Sequence, residues 1–181
     1  MESEGARIID IGGESTRPGA KEIEVEEQIR RTVPVIQRIR KVSAVPISID
    51  TRHAKVARAA VETGADIVND VSGGTFDDDM FATVAELGVA IILMHMRGTP
   101  ETMQSMTEYE DVVAEVVVAL LNRSRQAEKA GIPRWMQVLD PGIGFATHLR
   151  GNLLLLKHFS SNSQQWYRFR GKTLSRCQIR L

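Results

Sequence analysis

The sequence has very little cysteine: Cys177 stands alone among 181 residues, which excludes an internal disulfide and a cysteine-rich zinc site and suits a reducing compartment. It also lacks an excess of charge of either sign. Twenty-three basic residues balance 23 acidic ones, so no field over the whole chain draws nucleic acid or an anionic membrane. Anion binding has to be local. Long apolar runs are missing too: residues 89–94, Val-Ala-Ile-Ile-Leu-Met, fall far short of the ~20 residues needed to span a bilayer. The opening Met1-Glu2-Ser3-Glu4 has no signal-peptide character. Gly142-Ile143-Gly144 lacks the third glycine of a dinucleotide loop, and neither a Walker loop nor a His-Glu-x-x-His helix occurs.

What is present is ordinary globular composition, 43% hydrophobic and 25% charged, in a chain long enough for one domain with a real core. Short β-branched runs alternate with amphipathic stretches. Strands are expected at residues 8–11, 46–52, 67–71, 89–94 and 136–140, because each is apolar, brief and bounded by Gly or Pro. Between the first two, Val25, Ile29, Val33, Ile36 and Ile39 recur at helical spacing, with Pro34 expected to kink that helix or split off its first turns. Glu4-Gly5-Ala6 reads as a helix C-cap. Asp77-Asp78-Asp79 reads as the cap of the helix that starts at Met80, and Gly131 with Pro133 should end the long helix carrying Val113, Val116, Val117, Leu120 and Leu121. Strands alternating with helices imply an α/β fold with a parallel sheet, either doubly wound or closed as a (β/α)₈ barrel.

In both architectures ligands sit at the C-terminal ends of the strands. Asp10, Asp50, Asn69, His95 and Asp140 all fall there. Asp50 and Asp140, taken singly, are the kind of residue that caps a turn; their shared address points to one mouth. The loop of residues 10–19, Asp-Ile-Gly-Gly-Glu-Ser-Thr-Arg-Pro-Gly, adds a hydroxyl at Thr16 and a five-donor fork at Arg17, suited to carboxylate or phosphate.

Five ordered motifs carry a resemblance. Residues 10–19, Ile-Ser-Ile-Asp-Thr at 47–51, Asn-Asp-Val-Ser-Gly-Gly at 69–74, Met-His-Met-Arg-Gly-Thr-Pro at 94–100 and Leu-Asp-Pro-Gly-Ile-Gly-Phe at 139–145 together resemble dihydropteroate synthase, a pterin-binding family. The wording around residues 99–103 and 130–135 is closest to the synthase module of fungal multifunctional folate-synthesis proteins. The resemblance implies a TIM barrel that joins 6-hydroxymethyl-7,8-dihydropterin diphosphate to p-aminobenzoate, releasing diphosphate with Mg²⁺ assistance, in a cytoplasmic or mitochondrial protein that is a homodimer in the family. By the same resemblance Asp50, Asn69 and Asp140 read the pterin edge, Met94 and Phe145 cover its ring, and Thr16 and Arg17 bind the diphosphate and aminobenzoate side. Thr16, Arg17, Asp50 and Asp140 are the expected catalytic set.

The sequence also departs from the family. Only five strand-helix units of an incomplete (β/α)₈ barrel are legible in residues 1–159. The family's first strand, whose Asn helps hold Mg²⁺, and its seventh and eighth strands have no counterpart, so no metal ligand is expected within this chain. After Phe145 the family's Lys-Thr pair is replaced by Ala146-Thr147-His148, with His148 expected in solvent. Residues 160–181, with five basic and no acidic side chains, are expected as a disordered or non-family tail rather than a nucleic-acid contact. Two alternatives stay open: an inactive fragment that binds pterin or only self-associates, its unpaired strand edges and apolar flanks favouring aggregation, and a methyltetrahydrofolate methyltransferase-type domain, against which the Thr16-Arg17 loop argues.

Overall fold

The computed structural model describes residues 1–17, 19–99 and 102–166, with residues 104 and 159–166 described by their backbone alone. Five strands, β1 (Ile9–Gly12), β2 (Ile47–Asp50), β3 (Ile67–Asp70), β4 (Ala90–Met94) and β5 (Gln137–Asp140), alternate with five helices, α1 (Val25–Arg40), α2 (Ala54–Thr63), α3 (Met80–Leu87), α4 (Val112–Lys129) and α5 (Leu149–Trp166). All strand pairs are parallel and the sheet order is β1-β2-β3-β4-β5. A doubly wound sheet reverses its order at a switch point. This one does not, so it is an arc of five consecutive (β/α) units, with β1 and β5 as its two edges.

The two faces of the arc differ as a barrel wall should. On the helix side Ile47, Ile49, Val68, Ile91 and Leu93 are fully buried against Ile36, Val56, Ala57, Ala60, Met80 and Val84; burying each large aliphatic side chain is worth about 1.5–3 kcal/mol. On the other face Asp10 is exposed and Ile67 and Ile92 are half-buried. A second, smaller cluster, Val112, Val116, Leu120 and Leu155, joins α4 to α5.

Several local expectations are refined. α1 runs unbroken through Pro34. The carbonyl that Pro34 leaves without a donor belongs to exposed Arg30, where water can take it. Asp77 alone among the three aspartates serves the N-terminus of α3, where its Oδ1 accepts the Asp79 amide at 3.0 Å. Asp79 occupies the N-cap position of α3 without a side-chain bond, whereas Asp77 Oδ2 accepts the Ala54 amide at 2.8 Å. It thereby caps α2, whose own N-cap residue His53 supplies no oxygen. Gly5 is a left-handed C-cap, behind a single 3₁₀ turn at Glu2–Glu4. α5 continues to Trp166, past the expected boundary at 159/160. Once its packed first turns exist, the polar residues 160–166 extend it at little cost. Residues 167–181, including Cys177, lie outside the described residues. Among the described residues no helix is long and apolar enough to cross a membrane.

Candidate active site

The strand register decides which polar residues share a face. Asp50 pairs with Asn69, Asn69 with Ile92, and Met94 with Asp140. Paired residues of parallel strands point to the same side, so Asp50 and Asn69 form one tier of the inner face and Met94 and Asp140 stand one pleat higher. Asp10 and its partner Ser48 lie one pleat lower. Asp10 accepts the Ser48 hydroxyl at 2.5 Å and the Asn69 amide at 3.4 Å. Four of the expected site residues, Asp50, Asn69, Met94 and Asp140, therefore come together on the inner face at the C-terminal ends of the strands.

The electrostatics of this wall are acidic and short of donors. Burial pushes the Asp50 carboxyl up to about 7, with Asp10, Asp70 and Glu14 adding repulsion and Arg52 opposing it. Asp50 Oδ1 is buried with no hydrogen-bond partner among the described residues. Asp140 is likewise raised by burial, against the Gly142 amide, which donates to its Oδ1 at 2.8 Å. Asp70 faces the other side of β3, fully buried; its carboxylate accepts the Ser72 amide and hydroxyl and the Gly74 amide, shaping the β3–α3 loop.

Two glycines let the loops close on the end of β4. A Cβ at Gly142, φ +69°, would stand 2.1 Å from the His95 carbonyl oxygen, and one at Gly73, φ +60°, 2.7 Å from that of Met94. No L side chain fits either place. In the same β5–α5 loop Ala146 is fully buried at φ 46°, a conformation that costs a non-glycine residue of order 1–3 kcal/mol. Asn152 steadies that loop by accepting the Gly144 amide and the Thr147 hydroxyl. His148 is exposed, as expected.

The remaining expected residues stand on loops at this end of the sheet, without a hydrogen bond or ion pair to the cluster among the described residues. Thr16 is partly exposed and Arg17 exposed; the Arg17 guanidinium has no hydrogen bond or ion pair among the described residues. Phe145 is half-buried, its amide donating to the Gly142 carbonyl at 2.9 Å. His95, one of the five strand-end groups, turns away: its Nε2 lies 3.2 Å from the Tyr109 hydroxyl, and burial, aided by Arg97, pushes it down to about 4, so it is neutral.

Sequence reasoning missed the group that ties the loops together. Arg52 donates to Glu14 at 2.6 Å, the two side chains being 6% and 7% exposed, and its guanidinium lies 4.2 Å over the Phe76 ring. The β1–α1, β2–α2 and β3–α3 connections meet there. The available signal was an acid and a base of opposite sign placed just beyond neighbouring strand ends.

Comparisons with known proteins agree with this geometry. Residues 1–170 match the family model described as "Pterin binding enzyme". The chain is 51% identical over 148 residues to the folic acid synthesis protein fol1 of Schizosaccharomyces pombe, covering 81% of this chain and 20% of that protein. It is 47% identical over 153 residues to the dihydropteroate synthase of Synechocystis, covering 84% and 53%. Among solved structures, the dihydropteroate synthase of Xanthomonas albilineans with 4-aminobenzoic acid superposes with a TM-score of 0.84 at 43% identity, covering 90% of this chain and 57% of that one. The chain thus spans about half the length of the single-function relatives it matches, and a fifth of the fol1 protein. Sheet order, strand-end acids and family match converge: this chain belongs to the pterin-binding enzyme family, as part of its (β/α)₈ barrel.

Proposed function

We propose that the chain supplies the pterin-binding part of a dihydropteroate synthase, acting on 6-hydroxymethyl-7,8-dihydropterin diphosphate and p-aminobenzoate. The observation that carries this reading is the unpartnered, buried Asp50 oxygen beside Asn69 and below Asp140. A wall rich in acceptors, whose Ser48 and Asn69 donors are already taken by Asp10, calls for a ligand that brings N–H groups in one plane, as the 2-amino and ring N–H edge of a reduced pterin does. Each charge-assisted hydrogen bond formed there is worth about 1.5–3 kcal/mol. Met94 and Phe145 cover the ring, and Thr16 and Arg17 address the diphosphate and the aminobenzoate. The aniline nitrogen attacks the pterin methylene, the C–O bond breaks with its electron pair leaving on diphosphate, and the nitrogen releases its proton to solvent. No protein nucleophile is needed. The chain orients the partners and stabilises the charges that separate.

Among the described residues no three His, Cys, Asp or Glu side chains group as a metal cage. Mg²⁺ is held by one or two carboxylates together with substrate phosphates and waters rather than by an all-protein cage, so an ion would arrive with the diphosphate, and no step is routed through one. Calorimetry tests the pocket: the chain binds pterin diphosphate, Asp140→Ala abolishes binding, and Arg58→Ala, in a surface pair with Glu86, leaves it unchanged. Equal effects of the two overturn the placement. Incubation with both substrates and Mg²⁺ then separates a working synthase from the second reading, a pterin-binding or self-associating chain without turnover, which β1 and β5, edges of the sheet among the described residues, favour.

A further inference from the structure

The Glu14 carboxylate does two jobs with two oxygens. Oε1 takes Arg52 at 2.6 Å; Oε2 takes the Ile23 amide at 2.8 Å and the Gln28 side chain at 3.3 Å. Because Ile23 lies nine residues on, one buried carboxylate closes the base of the loop between them, while Ser15 and Arg17 on its crown are exposed. Gln28 also donates to the Ile23 carbonyl at 2.8 Å, and Arg31 to that of Gly13 at 3.1 Å, so the base is anchored to α1 on both sides. Arg52 follows Asp50 by two residues. The base of the loop and the pocket carboxylate are thus joined by a single short link, stacked on Phe76.

We propose that Glu14 and Arg52 are positioning residues: their buried pair fixes the base of the loop that carries Thr16 and Arg17, and so governs capture of the aminobenzoate and turnover while leaving pterin affinity alone. This rests on the function proposed above. The pair touches no acceptor of the pterin wall by hydrogen bond, and its opposite charges act on Asp50 in opposite senses, so the two effects separate once Asp50 is ionised in parent and variant alike. A purely structural ion pair would lower stability and weaken every ligand alike.

Hydrogen exchange on the intact chain reads the clamp without needing activity. In Glu14→Gln and Arg52→Met the Ile23 amide exchanges about tenfold faster or more, as loss of a bond to a charged group implies. Arg52→Lys, which keeps a cation for Glu14, restores most of the protection. Kinetics read the consequence: kcat/KM for p-aminobenzoate falls about tenfold or more in Glu14→Gln, and the calorimetric Kd for pterin diphosphate, measured at about pH 9 where Asp50 is ionised in both proteins, stays within about twofold. Glu14→Gln keeps the side-chain shape, so it serves where Arg52→Met does not fold. Unchanged Ile23 exchange in folded Glu14→Gln overturns the clamp. A parallel loss of pterin affinity overturns the separation of roles. A parent chain that binds pterin diphosphate but never turns over overturns the reading beneath, and the exchange rate still decides whether the clamp exists.

Discussion

Two arginines, one at each end of the sheet, divide the molecule's labour. Where the strands begin, Arg40 donates through Nε to the Gly64 carbonyl at 2.7 Å, through Nη1 to that of Val45 at 2.6 Å, and through Nη2 to Asp66. Asp66 in turn accepts the Ile47 amide at 2.8 Å. The fork is spent on backbone and on one partly exposed acid, tying α1, α2 and the start of β2 and β3 together. Where the strands end, Arg52 is more deeply buried, yet among the described residues its Nε has no hydrogen-bond partner, and neither has Oδ1 of its neighbour Asp50. Native interiors leave few such groups unpaired, and each asks for a reason. The Arg40 fork is spent on the protein's own groups; the upper end holds capacity in reserve, and that is the physical mark of a ligand site at this end of a barrel.

The comparison breaks first at Arg52. Arg52→Met leaves the Glu14 carboxylate buried beside Asp50, so urea unfolding should show a loss of about 3–5 kcal/mol. A loss under about 1 kcal/mol would put Arg52 with ordinary surface pairs. Asp50→Asn tests the reserve with the opposite sign. The folded value of about 7 stands above the 3.8 of an unperturbed aspartate, so between those values the native state holds more protons than the unfolded one. Stability therefore falls as pH rises through that window, and the cost is complete above it. The variant should be more stable than the parent at pH 8 by on the order of 4 kcal/mol and nearly level with it near pH 4. Its pterin affinity should lose the rise with pH that an ionised acceptor confers on the parent. Parallel stability profiles for the two proteins would mean that Asp50 is not strained by its burial.

Arg40→Ala should cost about 2 kcal/mol, the sum of hydrogen bonds that are partly solvated, with pterin diphosphate affinity unchanged by calorimetry. Any drop in affinity would show that the two ends are coupled. The smallest effect is expected at Arg97, which copies the chemistry of Arg52 without its depth. It lies 3.7 Å over Tyr109 and pairs with Glu115, but the two side chains are 29% and 36% exposed. Arg97→Ala should cost about 1 kcal/mol or less and become milder still in high salt.

Much of this was legible in the residues. The runs around Ile47, Ile67 and Ile91 are β-branched and short, and the helices between them carry their apolar residues at helical spacing, so element order and type follow from local chemistry. The strand-end address of Asp50, Asn69 and Asp140 follows as well, since each closes an apolar run. Pro34 does not split the helix, because its penalty depends on whether the stranded carbonyl meets water, which local sequence does not state. Asp77 was read only in part: one oxygen serves the nearest helix, as local sequence suggests, whereas the other serves the N-terminus of α2, 23 residues away. His95 had the right address, but the choice between pocket and Tyr109 is made by side-chain packing.

The sequence by itself determined the alternation of strands and helices, the end of the sheet at which chemistry gathers, and the family to which its five motifs belong. Only the tertiary structure decided the unreversed strand order that makes an arc of a barrel. It alone paired Glu14 with Arg52 across 38 residues, and it alone raised the Asp50 carboxyl toward neutrality. The reason is the same in each case. Propensity and periodicity act between neighbours along the chain, whereas pairing, burial and the local dielectric are properties of distances that exist only once the chain has closed on itself.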